Sequence, residues 1–508
     1  MKKASTDTCC LTLPLKLEKW QEDRLRKRFE LARQIYNTMI CAELKKLERL
    51  KRTARYRDIQ QKIQDQSLDQ NRDEVRKLYK ERDVLLKNAG FTEYDFKSDI
   101  KDYYKCFKEN IGSSVAVHGI APQVWAAFEK VLLKGGKKVH YKKPGDIYSL
   151  RGYSVAGKSG GVEIMFRKTY IEWKGLKLPL KLSSNNSYEC EMLHYRIKYV
   201  RLLRKPGKKN DHWYAQLALE GKPVVKHDPR TGEAVHPIGR GSVGLDIGTQ
   251  TLAYSATGEV NLVELADQVQ NIEQTKRRLQ RKLDRSRRKT NPNNYAEDGT
   301  VKRGIKLTHN KSKRYRILQR ELTYLQHLQA ETRKRQHIQL ANHLLSLGDC
   351  FYVEKMDWTA LAHRAKKNVI SEKTGKFKRK KRFGKSIANK APATLIGILR
   401  QKCESLGIPG VIEVPTSVRA SQYNHQTGEY TKKELSQRWN DMSEGERIQR
   451  DLYSAFLLQH YDPETSNFHL ASIQKDYSKF VKLHHQVIAR LSTMPKTPSS
   501  MGIYCSIR

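Results

Sequence analysis

The sequence predicts a mixed α/β chain, in which a helical N-terminal part and a strand-rich stretch resembling a small β-barrel precede a long αβ part. Three observations carry this. Between residues 25 and 47 apolar side chains recur every three or four positions, the period of an amphipathic helix. Between residues 212 and 219, Trp213, Ala215, Leu217 and Leu219 alternate with Tyr214, Gln216 and Ala218, as in a half-buried antiparallel strand. From Ser242, an apolar run, a tight turn and a second apolar run describe a strand and its returning partner.

In chain order, residues 11–17 supply a first strand, and the helices after it are then an insertion before the rest of the barrel. The first helix places Leu25, Phe29, Ala32, Tyr36, Ile40, Leu44 and Leu47 on one face and Lys and Arg outside. A second is expected after Asn71, which can form a capping box with Glu74; it continues through Val75, Leu78, Arg82 and Leu85 and stops at Gly90. Past the Gly135-Gly136 break, short strands are expected over 162–166, 170–173, 195–203 and 212–219. The segment 221–241, rich in Gly, Pro and charge, reads as a domain boundary.

Composition narrows the function. The 508 residues suggest about three domains. Lys and Arg number 98 against 54 Asp and Glu, a formal charge of +44, and a folded chain with that surplus needs a polyanionic partner, nucleic acid first. The apolar fraction, 38%, lies under the usual level of about 45–50%, as a basic groove would require. The N-terminus holds two lysines and a short apolar run, too brief for an export signal or a membrane span, so a cytoplasmic protein without membrane contact is expected. The eight cysteines, Cys9, Cys10, Cys41, Cys106, Cys190, Cys350, Cys403 and Cys505, include no C-x-x-C pair, so neither a disulfide framework nor a zinc ribbon is written into their spacing.

Three carboxylates sit where packing alone would prefer something else. Asp246 interrupts an apolar strand, with Val243, Leu245 and Ile247 on the other face. Glu354 ends the run Cys350-Phe351-Tyr352-Val353, at the C-terminal tip of a strand, where α/β sites form. Asp451 lies along the stripe Ile448, Leu452, Ala455 and Phe456 of a helix expected over 446–460. Singly, each is more often a capped or ion-paired structural residue. Together they offer an oxygen-only set suited to Mg²⁺ or Mn²⁺, and two such ions about 3.5–4 Å apart can activate water and stabilise a leaving oxygen in phosphodiester hydrolysis.

The order of these residues resembles a known family. GLDIGTQTLAYSATGEV (residues 244–260) is similar to the first RuvC motif of TnpB transposon nucleases and compact type V CRISPR effectors, with Asp246 at the catalytic aspartate. FYVEKMD (351–357) resembles the second motif, with Glu354 at its glutamate, and residues 382–407 resemble the helix that follows. RDLYSAFL (450–457) is similar to the third, with Asp451 at its aspartate. The resemblance is firm over roughly 241–458 and architectural before that.

It implies an RNase H-like nuclease domain preceded by a wedge-type barrel interrupted by a helical recognition lobe. The expected parts are a first barrel strand in 1–18, the helical lobe in 19–134 and the remaining barrel in 135–240. Residues 241–416 hold motifs one and two with basic helices over 271–340, 417–445 an insertion, and 446–508 motif three and the tail. The implied activity is RNA-guided, metal-dependent DNA cleavage, with a structured guide RNA and target DNA bearing a flanking motif as partners. Asp246, Glu354 and Asp451 are then both catalytic and metal-binding.

One departure stands out. TnpB proteins carry a four-cysteine zinc ribbon before the third motif, whereas residues 417–441 contain no cysteine. Zinc is therefore not expected, and a metal-free insertion over the active site is. His425 reads as a surface residue rather than a ligand, and Arg438 as either a phosphate contact or an ordinary exposed arginine. Two basic tracts, 275–289 and 371–386, are solvated charge runs in the plain reading. Within the resemblance they are backbone contacts to guide and heteroduplex: Lys276, Arg277, Arg278, Arg281, Lys282, Arg285, Arg287 and Arg288 in the first, Lys378, Arg379, Lys380, Lys381 and Arg382 in the second.

Two rivals remain. The G-x-D-x-G-T of residues 244–249 also resembles the first phosphate-binding turn of actin-like and sugar-kinase-like ATPases. Against this stand the charge, the lack of an evident second Gly-rich phosphate loop, and the two further carboxylates. A catalytically silent nucleic-acid-binding protein is the other, and a silent relative would be free to lose any one of the three acids.

Overall fold

The structure is a computed structural model. It describes residues 6–68, 72–153, 163–183, 185–364, 368–370, 375, 377, 383–434, 436–442, 445–495 and 497–503, with the side chains of 66–68 and 72 left aside. The chain forms two compact units, residues 1–225 and 226–508, each of mixed α/β structure.

In the first unit, strand β1 (Thr8–Pro14) leads into α1 (Lys19–Lys51), α2 (Ala54–Leu68), α3 (Arg72–Asn88), α4 (Glu93–Tyr104) and α5 (Ala121–Leu132). The sequence reading anticipated only α1 and α3; α2, α4 and α5 were not read, and α4 is started by a Thr92–Asp95 capping box. Asn71 lies outside the described residues. Gly90, at φ +76°, ends α3 as expected.

Strands β2 (Ser149–Tyr153), β3 (Ile164–Arg167), β4 (Tyr170–Trp173) and β5 (Leu176–Pro179), the short helix α6 (Ser187–Met192), β6 (Ile197–Lys205) and β7 (His212–Glu220) complete the unit. They form two antiparallel sheets, β1-β7-β6-β2 and β3-β4-β5, joined by a bridge between Leu15 and Leu180. Alternation places Leu11, Leu13, Val200, Leu202, Ala215 and Leu217 inward, in one continuous core with Leu25, Phe29, Ile35, Met39 and Ile40 of α1. The buried guanidinium of Arg28 donates to the carbonyls of Trp173 and Lys174, which fastens α1 to the β4–β5 turn. β1 starts at Thr8 rather than Leu11 because its pairing with β7 runs from Thr8↔Glu220 to Pro14↔Tyr214.

The second unit is built on a five-stranded sheet. Its elements are β8 (Ser242–Ile247), β9 (Thr251–Ser255), β10 (Val260–Glu264), α7 (Val269–Thr290), α8 (Lys313–Leu347), β11 (Cys350–Glu354), α9 (Trp358–Ala362), α10 (Gly384–Lys390), α11 (Pro392–Leu406) and β12 (Gly410–Val414). Next come β13 (Trp439–Asp441), β14 (Arg447–Gln449), α12 (Arg450–Gln459), β15 (Tyr461–Asp462), β16 (Asn467–Phe468) and α13 (Leu470–Ser492). The strand order is β10-β9-β8-β11-β12; β8, β9 and β10 pair antiparallel, whereas β11 is parallel to both β8 and β12. One face packs on α12 and α13 through Leu452, Phe456, Ile473 and Phe480. The other packs on α8 and α11 through Ala341, Leu344, Leu395 and Leu399.

Two sequence expectations need correction here. Residues 446–460 do not form one helix: Arg447–Gln449 is strand β14, paired with β13, and the helix begins at Arg450. The helix expected over 382–407 is two, because Ala391 takes φ +47° immediately before Pro392 and proline both ends α10 and starts α11. Among the described residues no helix is long and apolar enough to cross a membrane.

The central contact is α12 on β8. A Cβ placed on Gly244 would lie 1.9 Å from the Ala455 carbonyl oxygen and 2.4 Å from the Gln459 amide nitrogen. Both are backbone atoms, so no rotamer change relieves the clash. Gly244→Ala is therefore expected to destabilise the second unit by about 3 kcal/mol or more, the upper end of overpacking costs. Urea unfolding of the variant tests this, and an unchanged midpoint would contradict the contact.

Candidate active site

The sheet brings Asp246 and Glu354 to the same edge. β8 and β11 run parallel, the last paired residues being Leu245 and Val353, and the two carboxylates follow one residue later on neighbouring strands. Asp451 comes from the first turn of α12, which Gly244 lets settle on β8. All three remain half-buried, enclosed by protein atoms yet open to solvent.

Their electrostatics report the proximity. Burial pushes Asp246 well above the usual carboxylate range, and the charges of Asp451 and Glu354 push it further; the Ser454 hydroxyl and Arg450 offset this in part. Burial also raises Glu354, opposed by the Ala420 backbone N–H, which donates to Oε1 at 3.1 Å. Asp451 is bounded by cations: Arg450 Nε is 3.5 Å and Arg438 Nη1 3.8 Å from its Oδ1.

Among the described residues no three His, Cys, Asp or Glu are already gathered into a metal-holding cluster. The donor set nonetheless suits a hard divalent cation, because it is made of carboxylate oxygens alone. Asp246 shows the repulsion that a cation between the three would remove.

The residues after β12 close over this edge. Arg419, at φ +45°, turns the chain so that the Ala420 N–H meets Glu354. A short bridge pairs Tyr423 with Tyr430, and Tyr423 stacks on Phe468 with ring centroids 5.1 Å apart. His425 is buried, not a surface residue as its polarity suggested. The Tyr453 hydroxyl accepts its backbone N–H at 3.0 Å and lies 2.6 Å from its Nδ1, and burial holds its pKa below the usual value. Arg450 Nη1 donates to the carbonyls of Glu434 and Gln437 at 3.2 and 3.1 Å, so the insertion is tied to the first turn of α12. Rings and backbone contacts hold this segment to the sheet.

The basic residues sort into two groups. Lys276 is taken up by Glu273 at 2.6 Å and Gln329 at 2.9 Å, and is mostly buried, so it is not a free phosphate contact. Arg277 pairs with Glu273, and Arg287 and Arg288 with Asp284. Arg278, Arg281, Lys282 and Arg285 are exposed and carry no ion pair among the described residues; spaced i, i+3, i+4 and i+7, they form one stripe along α7. Arg438 is beside Asp451 rather than out in solvent. Lys378, Arg379, Lys380, Lys381 and Arg382 lie outside the described residues.

The sequence reading missed Gln449, Arg450, Ser454 and the Ala420 N–H. Glutamine is not among the preferred N-cap residues, and a backbone donor leaves no trace in composition.

No family model matches this sequence, and no curated protein matches it. Among solved structures, a cryo-EM Cas12f1-sgRNA-target DNA complex overlaps 90% of this chain and 99% of that chain at 12% identity, with a TM-score of 0.42. A cryo-EM CRISPR-Cas12f ternary complex overlaps 88% of this chain and 82% of that chain at 12% identity, with a TM-score of 0.26. Both likenesses are too distant to assign this chain a family.

The raised pKa of Asp246 has a consequence for stability. Its protonated form contributes stability that is fully present below about pH 4 and is lost as pH rises through the raised value. In metal-free protein, Asp246→Asn should leave the melting temperature near that of wild type at about pH 3.5 and raise it by about 2 °C or more at pH 9, the shift for about 1 kcal/mol. A pH series of thermal melts in EDTA checks this; parallel curves for the two proteins would contradict it. Tyr453→Phe leaves the buried His425 N–H without its acceptor and should cost about 1–3 kcal/mol in the same assay.

Proposed function

We propose that the protein is an RNA-guided DNA endonuclease that binds a structured guide RNA, recognises a short motif beside its target, and hydrolyses DNA phosphodiesters at Asp246, Glu354 and Asp451. The observation that carries this reading is the placement of Asp246 and Glu354 at the ends of neighbouring parallel strands, with Asp451 near enough from the first turn of α12 for its charge to act on Asp246, in a chain of +44 charge. The strand order β10-β9-β8-β11-β12, antiparallel on one side and parallel on the other, supports an RNase H-like core. Dependence on RNA follows from the three motif resemblances, not from the site itself.

In this reading the three carboxylates hold Mg²⁺ or Mn²⁺. Such a cation, when bound, supplies Lewis acidity at the phosphodiester and lowers the pKa of a coordinated water. The chain's own part is preparation. Ala420 fixes one oxygen of Glu354, Arg438 and Arg450 bound one oxygen of Asp451, and burial with the neighbouring carboxylates holds Asp246 above the usual carboxylate range. The α7 stripe of Arg278, Arg281, Lys282 and Arg285 offers charge to a phosphate backbone, with sequence selection left to base pairing.

Purification through high salt from cells carrying the native flanking DNA, followed by sequencing of the retained RNA, tests guide dependence: one structured species with a constant scaffold and a variable end is expected. With that RNA, Asp246→Ala should reduce DNA cutting to the protein-free background while RNA binding stays at wild-type level. Cutting by the variant at the wild-type rate would remove the assignment.

A further inference from the structure

We propose that Gln449 sets the position of Asp451 and thereby the cation affinity of the carboxylate set, an inference that rests on the nuclease reading above. Gln449 immediately precedes α12 and is fully buried. Its side chain performs two tasks at once. Oε1 accepts the Leu452 N–H at 2.8 Å and so caps the helix. Nε2 donates to Asp451 Oδ2 at 3.3 Å and to the Met501 carbonyl at 3.2 Å.

The amide cannot turn over, because reversal would set its NH₂ against the Leu452 N–H and its oxygen against the Asp451 carboxylate. Its backbone is held as well: the Gln449 N–H donates to His484 Nε2 of α13 at 3.0 Å. Asp451 is thus oriented from two sides, Oδ2 by Gln449 and Oδ1 by Arg438 and Arg450.

The residue choice points the same way. Capping alone favours Asn, Ser, Asp or Thr. The longer glutamine is accounted for by the second task, since its extra methylene carries the NH₂ to Asp451 while the oxygen stays on Leu452. Gln449 is a positioning residue: in this reading it touches neither substrate nor cation.

Gln449→Asn and Gln449→Ser keep a preferred cap and lose the reach to Asp451. Mn²⁺ is titrated into the full-length, nucleic-acid-free chain and free Mn²⁺ followed by electron paramagnetic resonance, with thermal melts in parallel and Asp246→Ala as the reference for site-specific binding. Both variants should melt within about 2 °C of wild type yet bind Mn²⁺ about tenfold more weakly, the usual cost of losing a partner that orients a metal ligand. Wild-type Mn²⁺ affinity in a folded variant overturns the proposal. If one variant does not fold, the other decides; if neither folds, Gln449 serves the helix rather than the cation, and the proposal fails. Absence of any Asp246-dependent Mn²⁺ binding in the wild type would be failure of the nuclease reading instead.

Discussion

The second unit turns on one contact, the backbone of α12 against the backbone of β8 at Gly244. Because no side chain intervenes, the helix lies close enough to the sheet for its first turn to bring Asp451 to the edge where β8 and β11 deliver Asp246 and Glu354. The aliphatic and aromatic residues of α12 then fill the sheet face, and Phe456 stacks on Phe480 of α13. A larger residue at 244 would lift the helix and with it one third of the carboxylate set.

Bringing acids together costs stability, and the surrounding residues determine how much of that cost remains. Arg438 and Arg450 lie beside Asp451, Ala420 donates to Glu354, and Ser454 faces Asp246. These partners offset the repulsion without cancelling it, so Asp246 keeps a raised proton affinity. The proposed cation would remove that remaining repulsion, since carboxylate oxygens are the ligands a hard divalent cation prefers.

Aromatic packing and backbone contacts hold the described residues of the stretch 417–449. Tyr423 stacks on Phe468 and packs at a tilt on Tyr430, His425 is buried against Tyr453 and Tyr477, and Arg450 binds two carbonyls of the segment. Aromatic rings offer large buried area with few rotatable bonds, and the Tyr453 hydroxyl accepts the buried His425 backbone N–H. The same packing puts the Ala420 N–H on Glu354, so the segment's anchoring and the site's geometry are one arrangement.

The sequence by itself determined what is periodic or locally signalled. It gave α1 its stripe from Leu25 to Leu47, β7 its alternation, and Asp246, Glu354 and Asp451 their anomalous places among apolar neighbours. Element boundaries set by pairing or by single backbone torsions were less legible: β14 interrupts an apparent helix, and Ala391 splits another. Only the tertiary structure decided which basic residues are spent, since Lys276 and Arg278 look alike in a charge run until Glu273 and Gln329 claim the first. It alone also decided the partners of the carboxylates. Gln449, Ala420 and Arg450 act through directional hydrogen bonds and charge at short range, and these interactions exist only after the chain has brought distant segments within a few ångströms.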